Sequence, residues 1–366
     1  KEAAVIAPVE TVQAPIAATV TEASSGSRYT LLQKIGGGGM AEVHLAVSVG
    51  ERGFRRPCVI KRLRPELSEN PAAVAQFTDE ATLASSLVHA NIVPIFDFAR
   101  VGSQYFLVEE YIVGRDLGRV SRRARAVGTP MAPELVGYVA VETLKALDYA
   151  HSKRDHDGLP LGIVHRDISP ENLMVTVRGE VQLLDFGVIK IDEARKRRTD
   201  IGELKGNLSY IAPEQARSLA VDGRADLFSL GMVIYFCLTG EHLYGIDAGS
   251  DLLVKAAAGP GPEEMAKIAR LPAPFNRVLP RALAPRPEAR FPTAVAFAEA
   301  FGPSPVDAPA RLGSLVAKLF GDELADEQTN LSLGVGGRNT AGSVAKVLPG
   351  PGSTSEQPVP LPLRGH

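Results

Sequence analysis

One run of the 366-residue sequence, His165-Arg166-Asp167-Ile168-Ser169-Pro170-Glu171-Asn172, is followed at short range by Asp185-Phe186-Gly187. Asp167 can accept the proton of an incoming hydroxyl if its carboxylate lies within hydrogen-bond reach of the attacking oxygen. Asn172 and Asp185 offer oxygen donors, which a hard divalent cation such as Mg2+ prefers. Loop punctuation alone explains Asp, Ser, Pro or Asn taken singly. It does not explain His-Arg-Asp, Asn and Asp-Phe-Gly together in that order. The set suits phosphoryl transfer, where metal ions bridge phosphate oxygens and offset developing charge.

Two weaker signals lie upstream. Ile35-Gly36-Gly37-Gly38-Gly39-Met40-Ala41-Glu42-Val43 falls between two strand-like runs. Glycines there let backbone N–H groups approach an anion, although a glycine run between strands is also an ordinary hairpin turn. A strand follows the run, which fits a phosphate-covering loop better than a dinucleotide fingerprint. Lys61 ends the apolar strand Cys58-Val59-Ile60-Lys61. A buried ammonium needs a carboxylate, and Glu80 on the next helix is the expected partner. Alone, Lys61 also reads as an edge residue and Glu80 as a solvated helix-face carboxylate.

These residues need elements to hold them. Period-two runs predict strands over Tyr29–Ile35, Glu42–Val49, Pro57–Leu63, Ile92–Arg100 and Tyr105–Tyr111. Val74, Phe77, Ala81 and Ala84 recur at helical spacing, which predicts a helix over Pro71–Leu87. Beyond Gly114 helices dominate: a long amphipathic one over Pro133–Ser152, then Asp226–Leu238, Asp251–Ala258, Pro262–Ala269, Phe275–Leu283 and Pro292–Phe301. Short strands at Leu173–Val177 and Val181–Leu184 flank the Asp167 loop. Residues 1–27 read as a flexible extension, and 303–366 as one helix, Arg311–Asp326, with a disordered Gly, Pro and Ser-rich tail.

Net charge is -2 with 45% hydrophobic residues, so no global field draws the chain to nucleic acid or an anionic membrane. The longest apolar stretch, Leu227–Leu238, is too short to span a bilayer and reads as a helix buried on all sides. Cys58 and Cys237 are far apart, as expected of reduced buried thiols, and the whole reads as a cytoplasmic protein.

From about Tyr29 to Phe301 the sequence resembles the Hanks-type protein kinase family, particularly bacterial Ser/Thr kinases. Besides the motifs above, the resemblance rests on His89-Ala90-Asn91-Ile92-Val93, Ala212-Pro213-Glu214, Asp226 to Gly231 and Arg290-Phe291. Leu161-Gly162-Ile163-Val164 and Ser169 are similar to myxobacterial members. The resemblance implies an α+β bilobal fold: a small antiparallel sheet lobe with one helix (28–111) and a larger, mainly helical lobe (112–302). It implies ATP between the lobes, with Mg2+ (or Mn2+) on Asn172 and Asp185. Ile35, Gly36, Gly38, Val43 and Val59 would surround the nucleotide, Glu110 and Ile112 read adenine, and Asp116 lie near the ribose. Asp167 would be the base, Lys61 and Glu80 the phosphate-positioning pair, and Arg166 the holder of a phosphorylated segment, with Thr199 after Lys196-Arg197-Arg198 or Ser209 as acceptor. Asp226 and the Glu214–Arg290 pair are implied to be structural.

Protein substrates are the implied partners, with no nucleic acid and no membrane span, and the tails are candidates for docking other proteins. Several positions depart from the family pattern. Ala41 replaces a glycine and Val59 an alanine; Glu109 stands at the back of the nucleotide pocket, Ser169 replaces a lysine, and Asn207 a threonine. A buried carboxylate needs a partner, so Glu109 is expected to reach Lys61 or water. The expected function is therefore ATP-dependent Ser/Thr phosphorylation with autophosphorylation, in bacterial signalling. The alternative is a pseudokinase scaffold that binds ATP with little turnover.

Overall fold

The computed structural model describes residues 18–20, 28–50, 52, 54–186, 207–245 and 250–336. The first part is a sheet: β1 (Ala18–Val20), β2 (Arg28–Gly37), β3 (Ala41–Val49), β4 (Arg55–Leu63), then α1 (Pro71–Ser85), β5 (Ile95–Val101) and β6 (Gln104–Glu110). The strands pair antiparallel in the order β1-β2-β3-β4-β6-β5. Alternation along β4 sends Cys58 and Ile60 into a cluster with Phe106 and Val108, while Leu63 packs with Leu107, Phe77 and Ala81 beneath α1. Asn70 starts α1 by accepting from the N–H groups of Ala72 and Ala73, and Pro71 supplies a preset φ.

A connecting segment leads to β7 (Gly114–Asp116), α2 (Leu117–Ala126), α3 (Pro133–Ser152), β8 (Leu173–Thr176) and β9 (Val181–Leu183). Strands β7, β8 and β9 make a second, three-stranded sheet. Then come α4 (Pro213–Ala216), α5 (Arg224–Thr239), α6 (Ser250–Ala258), α7 (Pro262–Ala269), α8 (Phe275–Ala282), α9 (Ala294–Glu299) and α10 (Ala308–Gly336). As its apolar run, broken only by Ser229 and Gly231, requires, α5 is buried from Ala225 to Cys237. Gly240 ends it at φ 76°, a left-handed conformation in which a side chain would be strained.

The architecture is the expected bilobal α+β one, with three local corrections. Ala18–Val20 lies in the stretch expected to be a flexible extension, yet pairs with Tyr29–Leu31; three residues are too few for period-two patterning to announce a strand. The strand expected from Ile92 begins at Ile95, because Pro94 has no N–H to give a ladder, and Ile92 instead bridges to Leu183. The C-terminal helix is longer than Arg311–Asp326, running on through the glycines at 334 and 336. Among the described residues, no helix is long and apolar enough to cross a membrane.

Candidate active site

The Asp167 loop is held from behind by a buried carboxylate. Asp226, 1% exposed at the start of α5, accepts from the backbone N–H of His165 at 2.9 Å and of Arg166 at 2.8 Å. His151 Nε2 lies 2.7 Å from the same carboxylate. Burial alone would push the Asp226 pKa up; the His151 ring and the His165 N–H outweigh it and hold the group below the usual carboxylate range. Arg166 adopts φ 67°, and the Gln215 amide donates to its carbonyl at 2.9 Å. The His165 ring meets the Leu184 carbonyl at 2.7 Å and packs 4.7 Å from Phe186.

Inside this frame the Asn172 amide donates to the Asp167 carbonyl at 2.7 Å and to its carboxylate Oδ2 at 2.8 Å. Asn172 thus orients Asp167 with its N–H2 group and keeps its amide oxygen for another partner. Its own carbonyl accepts from Leu184 N–H at 2.9 Å, which draws the segment carrying Asp185 alongside the loop. Asp185 sits at φ 51°, so its backbone is held in a sparsely populated region. An amide oxygen and a carboxylate from adjacent segments fit Mg2+, which takes one or two protein oxygens and completes its shell with water and phosphate. Among the described residues, no cluster of three or more His, Cys, Asp or Glu offers a self-sufficient metal cage.

Across the cleft, Lys61 is 8% exposed. The partner expected for it is Glu80, with Glu109 expected to reach either Lys61 or water; the hydrogen bond of Lys61 goes to Glu109 Oε1, at 2.7 Å, and not to Glu80. Lys61 also pairs with Asp185. Register explains the correction: Lys61 faces Leu107, so Glu109, two residues along β6, is its diagonal neighbour on the same face. Glu80 stands with Glu109 and Asp185 in the wall of a small cavity of about 10 Å3.

The glycine segment is tighter than a free loop. Ile35 and Gly36 belong to β2, Gly36 pairs with Val43, and the turn closes through a 2.9 Å bond from Gly38 N–H to Ala41 C=O. Ile35 is 48% exposed and a Cβ at Gly38 would meet open space. Val43 lies opposite Lys61, and Val59 opposite both Leu45 and Glu109. At the connection between lobes, Glu110 donates its N–H to Pro94 and pairs through its side chain with Arg56 at 2.9 Å. Ile112 follows, and Asp116 caps α2 by accepting from Arg119 N–H at 2.8 Å. Burial raises the Asp116 pKa above the usual carboxylate value.

Ser169 is 1% exposed, and its hydroxyl has no hydrogen-bond partner among the described residues. Ser209, the second acceptor candidate, is buried, at 6% exposure. Thr199, the basic run before it and Gly187 lie outside the described residues. Glu214 and Arg290 form the implied buried pair, with bonds of 2.6 and 2.7 Å. Burial pushes the thiols of Cys58 and Cys237 up to about 12, so neither is a ready nucleophile. The sequence offered no direct sign of two further residues at this site, Arg115 and Tyr111, whose side chains are held by Glu327.

Comparison with known proteins places these features in company. Residues 29–300 match the family model described as a protein kinase domain. The chain is 41% identical over 274 residues to the tyrosine-protein kinase MasK of Myxococcus xanthus, covering 74% of this chain and 42% of that protein. It is 34% identical to the serine/threonine-protein kinase Pkn1 of Myxococcus xanthus, covering 74% and 37%. With the serine/threonine-protein kinase PknB of Mycobacterium tuberculosis it shares 32% over 75% of this chain and 42% of that one. The chain therefore spans about two fifths of the length of the curated relatives it matches. The crystal structure of the Mycobacterium tuberculosis PknI kinase domain superposes with a TM-score of 0.55 at 26% identity, covering 75% of this chain and 94% of that domain.

Proposed function

The chain belongs to the protein kinase domain family, and from that premise we propose that it transfers the γ-phosphate of ATP to Ser or Thr hydroxyls of protein substrates, itself included, in bacterial signalling. The observation that carries the proposal is the Asp167–Asn172 hydrogen bond on a loop anchored by Asp226. The acceptor oxygen attacks phosphorus as the bond to the ADP oxygen breaks, and its proton passes to Asp167. Asn172 holds the receiving carboxylate in place, and Lys61 sets its ammonium towards the phosphates from β4. Asn172 and Asp185 would hold Mg2+ or Mn2+, which supplies charge compensation for the phosphates when bound. Backbone groups at Glu110 and Ile112 read adenine, with Asp116 at the ribose end.

The buried Ser169 favours a second acceptor reading. It leaves the loop without the lysine that the resemblance implies for Ser/Thr kinases, and the 41% identical relative is named a tyrosine kinase. A phenolic acceptor is therefore weighed beside Ser and Thr.

The test is incubation with labelled ATP and Mg2+, comparing wild type with Asp167→Asn on a generic protein and on itself, followed by phosphoamino-acid analysis. Label that depends on Asp167 supports the enzyme, and the labelled residue chooses between acceptors. Nucleotide binding with no Asp167-dependent label would replace the enzyme by the scaffold.

A further inference from the structure

Helix α10 lies beyond residue 300, where the family match ends, and touches three parts of the molecule. Its first turns are built into the large lobe: Ala308, Leu312, Val316 and Phe320 are buried in the main core. Gly313 fits there because its backbone runs against the carbonyl of Val177, where a Cβ would lie 2.5 Å away. About three turns beyond Phe320, Leu331 is buried against Leu45 and Val47 of β3, in the small lobe.

Between these anchors the helix grips the connection between lobes. Glu327 accepts from the Tyr111 hydroxyl at 2.9 Å and takes Arg115 through two bonds, of 2.8 and 3.0 Å. Arg115 is 5% exposed and also donates to the Gly114 carbonyl at 2.9 Å. Glu323 pairs with Arg123 and approaches Arg115 at 3.4 Å, while the Phe320 ring lies 5.6 Å from the Arg115 guanidinium. Tyr111 stands between Glu110 and Ile112, and Arg115 precedes Asp116. One carboxylate therefore fixes side chains on both sides of the backbone assigned to adenine and ribose.

We propose that α10 is a strut spanning both lobes, with Glu327 as a positioning residue that sets the shape of the segment from Glu110 to Asp116 for nucleotide. A rigid helix pinned at both ends resists rotation of one lobe against the other, and loss of either pin releases the segment. The proposal rests on the reading of the cleft as a nucleotide site, so its test has one arm that needs no nucleotide.

Glu327→Gln removes the negative charge that faces Arg115 while keeping the shape; Leu331→Asp removes the small-lobe anchor and leaves Glu327 in place. In each variant, amide hydrogen exchange across 108–116 is measured without nucleotide, and the Kd for a fluorescent ATP analogue and the kcat are measured separately. The strut predicts at least about fivefold faster exchange and about fivefold weaker nucleotide binding, with kcat at saturating ATP changed far less. Wild-type exchange in both variants overturns it. So does faster exchange with unchanged nucleotide affinity, which would make the contacts structural only. If wild type binds no nucleotide, the cleft reading fails, and the exchange arm still decides whether α10 holds the segment.

Discussion

Lys61 and Glu109 stand diagonally across neighbouring strands, with Nζ 2.7 Å from Oε1 and both side chains about nine-tenths buried. Pairing offsets what either charge would cost alone in so dry a place, and Asp185 shares the ammonium from the other lobe. Lys61 therefore belongs to the sheet and to the segment that carries Asp185 at once.

Replacing Glu109 by Leu leaves Lys61 with less compensation. A loss of about 3 kcal/mol is expected in urea unfolding. The double variant with Lys61→Met regains most of it; equal stabilities of Glu109→Leu and wild type would show that the pair contributes nothing.

Glu214 meets Arg290 with two bonds, and the guanidinium is further held by the carbonyls of Ala284 and Arg224. Glu214→Ala strands a buried cation. Unfolding free energy should fall by about 3–5 kcal/mol, and a change under about 1 kcal/mol would mean that the carbonyls suffice.

On the proposed mechanism, Asn172→Ala frees the Asp167 carboxylate from its 2.8 Å restraint and removes one metal donor. A fall in kcat of about 10²-fold or more is expected. Retained turnover in a radiolabel assay would remove Asn172 from the site.

Acid should weaken the fold. The His242 ring lies 5.4 Å from Phe236 and 5.5 Å from Tyr210, and burial holds its pKa below the ordinary 6.5. The unfolded chain then takes up its proton first, so this contribution is complete above about pH 6.5 and is lost as pH falls towards the folded value. His44 and His89, also depressed chiefly by burial, act with the same sign. Urea midpoints measured between about pH 5 and 8 should slope downward into acid, and His242→Phe should flatten that slope.

Gly179 holds φ 78° in the turn between β8 and β9, against the carbonyl of Pro309. Gly179→Ala would meet both strain and collision, and about 2 kcal/mol or more of stability should be lost. Calorimetry with circular dichroism would show it as a lower Tm with less helix; an unchanged Tm would mean that α10 shifts without cost.

Much of this was legible because repetition in sequence maps directly onto burial. The strand-like run ending at Lys61 marked β4, and the apolar run from Leu227 to Leu238, broken only by Ser229 and Gly231, marked a central helix. The order of Asp167, Asn172 and Asp185 likewise marked the loop that Asp226 anchors. The partner of Lys61 was left between two carboxylates, since choosing Glu109 over Glu80 depends on strand register, which local pattern does not encode. Strand β1 was too short to announce itself. The grip of Glu327 on Tyr111 joins residues 216 positions apart, and nothing local to either predicts it.

The small cavity behind Lys61 is walled by Glu80, Glu109 and Asp185 among otherwise apolar side chains. For an inhibitor chemist this inverts the usual preference. On the reading of the cleft as a nucleotide site, an aryl group pushed past the adenine position would press hydrocarbon against the Glu109 carboxylate and disturb its pairing with Lys61. A compact ammonium on the same scaffold would meet carboxylates already shared with Lys61 and would bind by competing with that ammonium.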